Sequence, residues 1–107
     1  LGKYIVGAVS SGSGRDKEVL DYIGYYSNVC GAQYSGGVSS GLPVSKEKME
    51  EAYQLGAKLA LDIKEKKIYP EQIAFIEKGK QYFAEVIKKR KDEWIDEYRY
   101  WQDKGWL

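Results

Sequence analysis

The chain has 107 residues, enough for one domain or part of one, and its 17 Lys and Arg nearly balance its 16 Asp and Glu for a net charge of +1. That balance leaves no field to attract nucleic acid or acidic lipid. A single cysteine, Cys30, and the lack of histidine exclude an intrachain disulfide, Cys-rich metal sites, the serine triad and most zinc chemistry.

Tyr4-Ile5-Val6-Gly7-Ala8-Val9-Ser10 is a short apolar run without helical spacing, the pattern of a strand buried on both faces of a parallel sheet. It leads into a loop of small residues, Ser10-Ser11-Gly12-Ser13-Gly14. Asp16 is placed to cap a helix whose Val19, Leu20 and Ile23 share one face; Gly24 and Tyr25-Tyr26-Ser27-Asn28 mark its expected end. A second strand is expected over Cys30-Gly31-Ala32-Gln33-Tyr34-Ser35, with Cys30 as a small buried hydrophobe. Strand, glycine-rich loop, helix and strand form a crossover unit if the strands are parallel.

Gly36 to Pro43 reads as a loop, after which Ser45 is an expected N-cap. Glu47 and Glu50 then sit in the first turns, where the helix dipole favours negative charge, and Lys64, Lys66 and Lys67 at the far end, where it favours positive. Between them Met49, Ala52, Gly56, Leu59 and Ile63 recur in steps of three and four, a stripe suited to a core. Pro70 opens a further helix along which Ile73, Ile76, Phe83, Val86, Ile87, Trp94 and Trp101 are spaced. Whether that helix runs on to Trp101 or breaks near Arg90-Lys91-Asp92 is left open by the sequence.

The expected fold is α/β: a strand-loop-helix-strand unit over residues 1–44 and an aromatic-rich helical segment over residues 45–107 of the same domain, with three or four helices in all. No apolar run approaches the ~18 residues of a membrane span and no signal-peptide pattern opens the chain. The expected location is the cytoplasm, with neither membrane nor nucleic acid as partner.

The loop from Ser10 to Arg15 is the candidate ligand site. Its glycines let backbone approach a ligand, amides at a helix start point positive dipoles outward, and ligands of open α/β sheets bind after parallel strands. Ser-Gly-Ser-Gly is neither a Walker sequence nor a complete Gly-x-Gly-x-x-Gly, and many such turns bind nothing. Ser35 to Pro43 reads either as a cover for a flat ligand or as a plain lid. Trp94, Tyr98, Tyr100, Trp101 and Trp106 fit core or subunit packing better than a binding surface.

Taken in order, Leu1-Gly2-Lys3-Tyr4-Ile5-Val6-Gly7-Ala8-Val9-Ser10-Ser11-Gly12-Ser13-Gly14 resembles the fourth strand and following loop of the NADPH-dependent FMN reductase and iron–sulfur flavoprotein families, which are flavodoxin-like. The resemblance continues through the next helix, Tyr34-Ser35-Gly36-Gly37 and Ala52-x-x-Leu55-Gly56-x-x-Leu59-Ala60. It extends to Arg90-Lys91-Asp92-Glu93-Trp94, Tyr98-x-Tyr100-Trp101 and Lys104-Gly105-Trp106-Leu107. It implies the C-terminal portion of a flavodoxin-like parallel sheet, with the fourth and fifth strands of the order 2-1-3-4-5. It further implies FMN as cofactor, with Ser10, Ser11, Gly12, Ser13 and Gly14 beside its ring, NAD(P)H as electron donor, and a quinone, metal or protein as acceptor.

In these families the FMN phosphate loop, the loop after the third strand and the cysteines of iron–sulfur members all precede this region. The resemblance therefore implies that the chain is inactive alone, and a start at Leu1 is what a fragment, a processed chain or a trimmed one would present. One edge of the first strand would then await the missing N-terminal half, a second copy of the chain, or a cover of C-terminal helices. Two other classes stand beside this reading: a non-catalytic helical interaction or oligomerisation module, and a phosphate- or nucleotide-binding domain using the Ser10–Gly14 loop.

Overall fold

Two parallel strands carry helices on both faces in the computed structural model, which describes residues 2–107; Leu1, where the resemblance starts, lies outside them. Strand β1 (Tyr4–Ser11) pairs with β2 (Gln33–Gly41) from Tyr4↔Gln33 to Ser11↔Gly41, with one irregularity after Ile5. Helix α1 (Asp16–Val29) and helix α2 (Lys46–Glu65) each pack on both strands but not on each other, so they occupy opposite faces. Helix α3 (Pro70–Lys89) packs on α1 and β2, and α4 (Ile95–Asp103) packs on α3. The α/β class expected from the sequence is the class adopted.

Several local expectations are overturned. Gly24 does not stop α1, which runs to Val29; a Cβ there would sit 3.2 Å from the Tyr34 ring, so the glycine admits a side chain beneath the helix. Cys30 is not a buried strand residue but the exposed cap after α1, and β2 begins only at Gln33. The supposed loop from Gly36 continues as β2 through Gly41, leaving only a short connection to α2 and no long lid. Arg15, rather than Asp16, holds the N-cap position of α1, and no side chain caps that helix; Asp16 is its first residue. Of the two courses left open for the C-terminal helix, the chain takes the break, between Lys89 and Ile95. Ser45 caps α2 as expected, accepting the Lys48 amide at 3.1 Å.

The layer between α1 and the sheet is unusually tight. Gly7 and Gly37 are register partners, and Tyr34 lies over them with its hydroxyl 3.2 Å from where a Gly7 Cβ would stand. That hydroxyl is buried and has no hydrogen-bond partner, and burial raises its pKa above the ordinary tyrosine value. Tyr34→Phe is accordingly expected to leave stability unchanged or raise it by about 1 kcal/mol in urea unfolding, because it removes a desolvated group that bonds to nothing. A loss of stability would reveal a partner for the hydroxyl.

The two edges of the sheet differ. On the outer edge of β2 the Gln72 side chain acts as a short false strand, its Oε1 accepting the Tyr34 amide at 2.6 Å and its Nε2 donating to the Tyr34 carbonyl at 2.9 Å. Lys58 Nζ donates to the Ser35 carbonyl beside it. Among the described residues nothing pairs with the outer edge of β1, and neither α3 nor α4 reaches that strand, so the C-terminal helices do not cover it.

The flanks of α2 repeat this asymmetry. Glu47, Glu50, Glu51 and Lys58 border the β2 side, next to Gly37 and Val38. Met49 and Ala52 border β1, next to Ala8, Val9 and Ser10. The stripe expected to face a core therefore looks out past β1, with Met49 64 % and Ile63 53 % exposed. On the opposite face of the sheet, Tyr25 and Asn28 of α1 meet α3, which leaves Val19 and Tyr26 on the free flank, 47 % and 55 % exposed. Among the described residues the buried apolar ones are few: Ala32, Ile76, Ala84 and Ile87. A radius of gyration of 17.2 Å exceeds the ~13 Å of a compact domain of this length.

Candidate functional site

Parallel strands paired in register end together, which places Ser10 beside Ser40 and Ser11 beside Gly41 at their carboxyl ends. The small-residue loop then turns into α1 through Gly14, whose φ of +76° suits a residue without a side chain. Within the turn the Ser11 hydroxyl accepts the Ser13 amide at 3.1 Å and bonds the Ser13 hydroxyl at 2.8 Å, so these two side chains hold the loop in shape. Residues 12 to 14 are exposed, and no side chain covers the amides of the first turn of α1.

A shallow cleft of about 190 Å³ opens beside this loop, between the sheet and the start of α2. Of the five residues expected to form a site, Ser10 lines the cleft; Ser11, Gly12, Ser13 and Gly14 form the adjoining turn. The remaining wall was not foreseen from the sequence: Val38 to Ser40 of β2, Val44, and Lys48, Met49 and Ala52 of α2. The parallel-sheet reading already held the needed signal, because in a crossover unit the helix after a strand starts at that strand's carboxyl end. Lys48 is the one charged residue of the wall, and its ammonium lies 3.3 Å from Glu51.

A second polar cluster sits at the other end of β2. The Tyr69 hydroxyl donates to Asp62 Oδ2 at 2.5 Å and accepts from Lys58 Nζ at 2.8 Å; the Lys58–Asp62 pair spans 3.8 Å. The Tyr69 amide donates to Gln33 Oε1 at 2.7 Å, and Gln33 Nε2 and the Tyr4 hydroxyl both donate to the Lys67 carbonyl. Asp62 is buried, yet its carboxyl is held below the usual carboxylate range. The Tyr69 hydrogen bond is the main cause, opposed by burial and helped by the nearby Ser35 hydroxyl, Lys58 and Lys67. Ser35 Oγ is close enough to contribute but makes no aligned hydrogen bond. The Tyr69 hydrogen bond likewise raises Lys58. This cluster fastens the turn between α2 and α3 to the amino end of the sheet, far along the strands from the cleft.

Among the described residues no cluster of ligating side chains is arranged to hold a metal ion, and no helix is long and apolar enough to cross a membrane. Trp106 packs edge-on against Tyr100 and Trp101, with Lys80 over its ring, so the tail aromatics tie the end of the chain to α3 and α4. No protein-family model matches the chain, nor does any curated protein or solved structure.

Proposed function

We propose that the chain is the C-terminal part of a cytoplasmic, flavodoxin-like, FMN-dependent NAD(P)H oxidoreductase, with Ser10 to Gly14 beside the flavin ring. The one-sided finish of the sandwich carries this reading. Its β2 side is capped at the amino end by Gln72 and bordered by charged residues of α2, while its β1 side presents a bare strand edge between two apolar helix flanks. A sheet that continues past β1 into an N-terminal half would have these features.

The cleft supports the same reading by its size. Ligand pockets span ~300–1,000 Å³, so a cleft of about 190 Å³ suits one side of a flat ring and not a whole cofactor. Nothing crowds Gly12 or Gly14, so the backbone there can approach a ring edge. FMN, when bound, would supply the redox chemistry, taking a hydride from NAD(P)H and passing electrons to an acceptor. The residues here bind and orient: Val44, Met49 and Ala52 give apolar contact and Ser10 a hydroxyl, while the open first turn of α1 and the Lys48 ammonium favour negative charge. No side chain of the chain has to act as acid or base.

Titration with FMN, followed by flavin fluorescence, tests the proposal. The 107-residue chain alone should bind weakly or not at all, and the chain preceded by a phosphate-loop half should quench the flavin. No binding in either form would sink the flavin reading and leave a non-catalytic interaction module as the better account.

A further inference from the structure

We infer that the 107-residue chain, on its own, forms a two-fold dimer in which β1 pairs antiparallel with β1 of a second copy and α2 packs against α2. This goes beyond the flavin reading and does not depend on it: the second copy takes the edge that an N-terminal half would take in a longer protein.

The two edges of the sheet set the stoichiometry. Gln72 and Lys58 occupy the amino end of the outer β2 edge, whereas β1 is bare along its length beside the apolar flank of α2, and a two-fold join that uses β1 of both copies closes at two. Sheet geometry then brings the helices to packing distance. Strands lie ~4.8 Å apart, so two helices each seated over a β1–β2 pair, on either side of a β1–β1 join, stand about 10 Å apart. Helices pack at 8–10 Å.

The free flank of α2 fits its own copy. Met49, Ala52, Gly56, Ala60 and Ile63 are symmetric about Gly56, with a small residue four positions away and a large apolar one seven positions away on each side. An antiparallel copy centred on Gly56 therefore sets Met49 against Ile63, Ala52 against Ala60, and glycine against glycine, where a Cβ would meet nothing within the monomer. No charged residue lies in that row, so two copies meet without desolvating like charges. On the opposite face of the sheet, Val19 and Tyr26 of the two α1 helices meet in the same way.

Sedimentation equilibrium across a concentration series tests the dimer. Wild type should fit a monomer–dimer equilibrium with no larger species. Gly56→Leu should weaken it roughly tenfold or more by forcing the helices apart, whereas Gly79→Leu on α3, where a Cβ is equally unobstructed, should leave it unchanged. Because Gly56→Leu would unfold a chain stable only as a dimer, a cross-link gives a second readout. The Cys30→Ser, Gly56→Cys double variant should oxidise to a disulfide-linked dimer, since the two-fold juxtaposes position 56 with itself. A monomer at every concentration, larger oligomers, equal weakening by Gly79→Leu, or no cross-link at position 56 would each overturn the inference.

Discussion

Gly37→Val should unfold the chain or cost it more than about 3 kcal/mol, above the usual range for overpacking a core. A Cβ at Gly37 would collide with Tyr34 Oη and stand 2.5 Å from Leu20 Cδ1 and 2.9 Å from Leu20 Cγ, all within the layer that joins α1 to the sheet. Tyr34 cannot withdraw, because its ring is already held beneath Gly24, and Leu20 cannot withdraw towards Gly7, where it also makes a close approach. Gly37→Ala meets the same atoms with less bulk and should cost up to about 3 kcal/mol. The clash has a designed remedy: Leu20→Ala removes two of the three nearest atoms. Combined with Gly37→Ala, it should cost less than the sum of the single changes, a coupling measurable by urea unfolding of all four chains. Strict additivity would mean that the strand moves away from the helix instead of colliding with it.

The same glycines explain what the sequence did and did not disclose. The apolar run of β1 was legible because a strand covered on both faces has no polar alternation to obscure it. β2 was misread past Ser35 because Gly36-Gly37 and Ser39-Ser40-Gly41 have the composition of a turn. What decides is a tertiary demand: Gly37 is small because Tyr34 and Leu20 fill the space of its side chain. Gly24 misled for the same reason, as its partner is a ring ten residues further on. Caps fared better where the chemistry is local, as with Ser45.

The candidate site was half legible. The loop at Ser10 to Gly14 was found from composition, but the wall supplied by Val44, Lys48 and Met49 depends on where α2 begins relative to β1. The stripe on α2 was read correctly as apolar, and its expected burial failed because nothing else in the described chain covers it. The polar cluster around Asp62 gave no signal at all, since Gln33, Lys58, Asp62 and Tyr69 are scattered along the chain and converge only through the α2–α3 turn.

That cluster should make the chain acid-sensitive. Asp62 has its carboxyl pKa lowered in the folded chain, chiefly by the Tyr69 hydroxyl. A depressed carboxyl stabilises the fold above its unfolded value of ~3.9, and the contribution is lost as pH falls through the folded value. Lys58 works in the opposite sense: its raised value stabilises at neutral pH and is lost only in strong alkali. Stability between pH 5 and 8 should therefore be flat with respect to this cluster and fall on the acid side. Asp62→Asn should cost about 2 kcal/mol at pH 7, within the range for a hydrogen bond to a charged group, because Lys58 is half-exposed and water screens its part of the loss. The gap between wild type and Asp62→Asn, measured by urea unfolding at successive pH values, should narrow below pH 4 as the wild-type carboxylate takes up a proton. Tyr69→Phe should narrow the same gap at neutral pH by removing the donor that holds the carboxylate charged. A gap that stayed constant down to pH 3 would mean that the Asp62 charge contributes nothing, and that the α2–α3 turn is held by Gln33 and the Lys67 carbonyl alone.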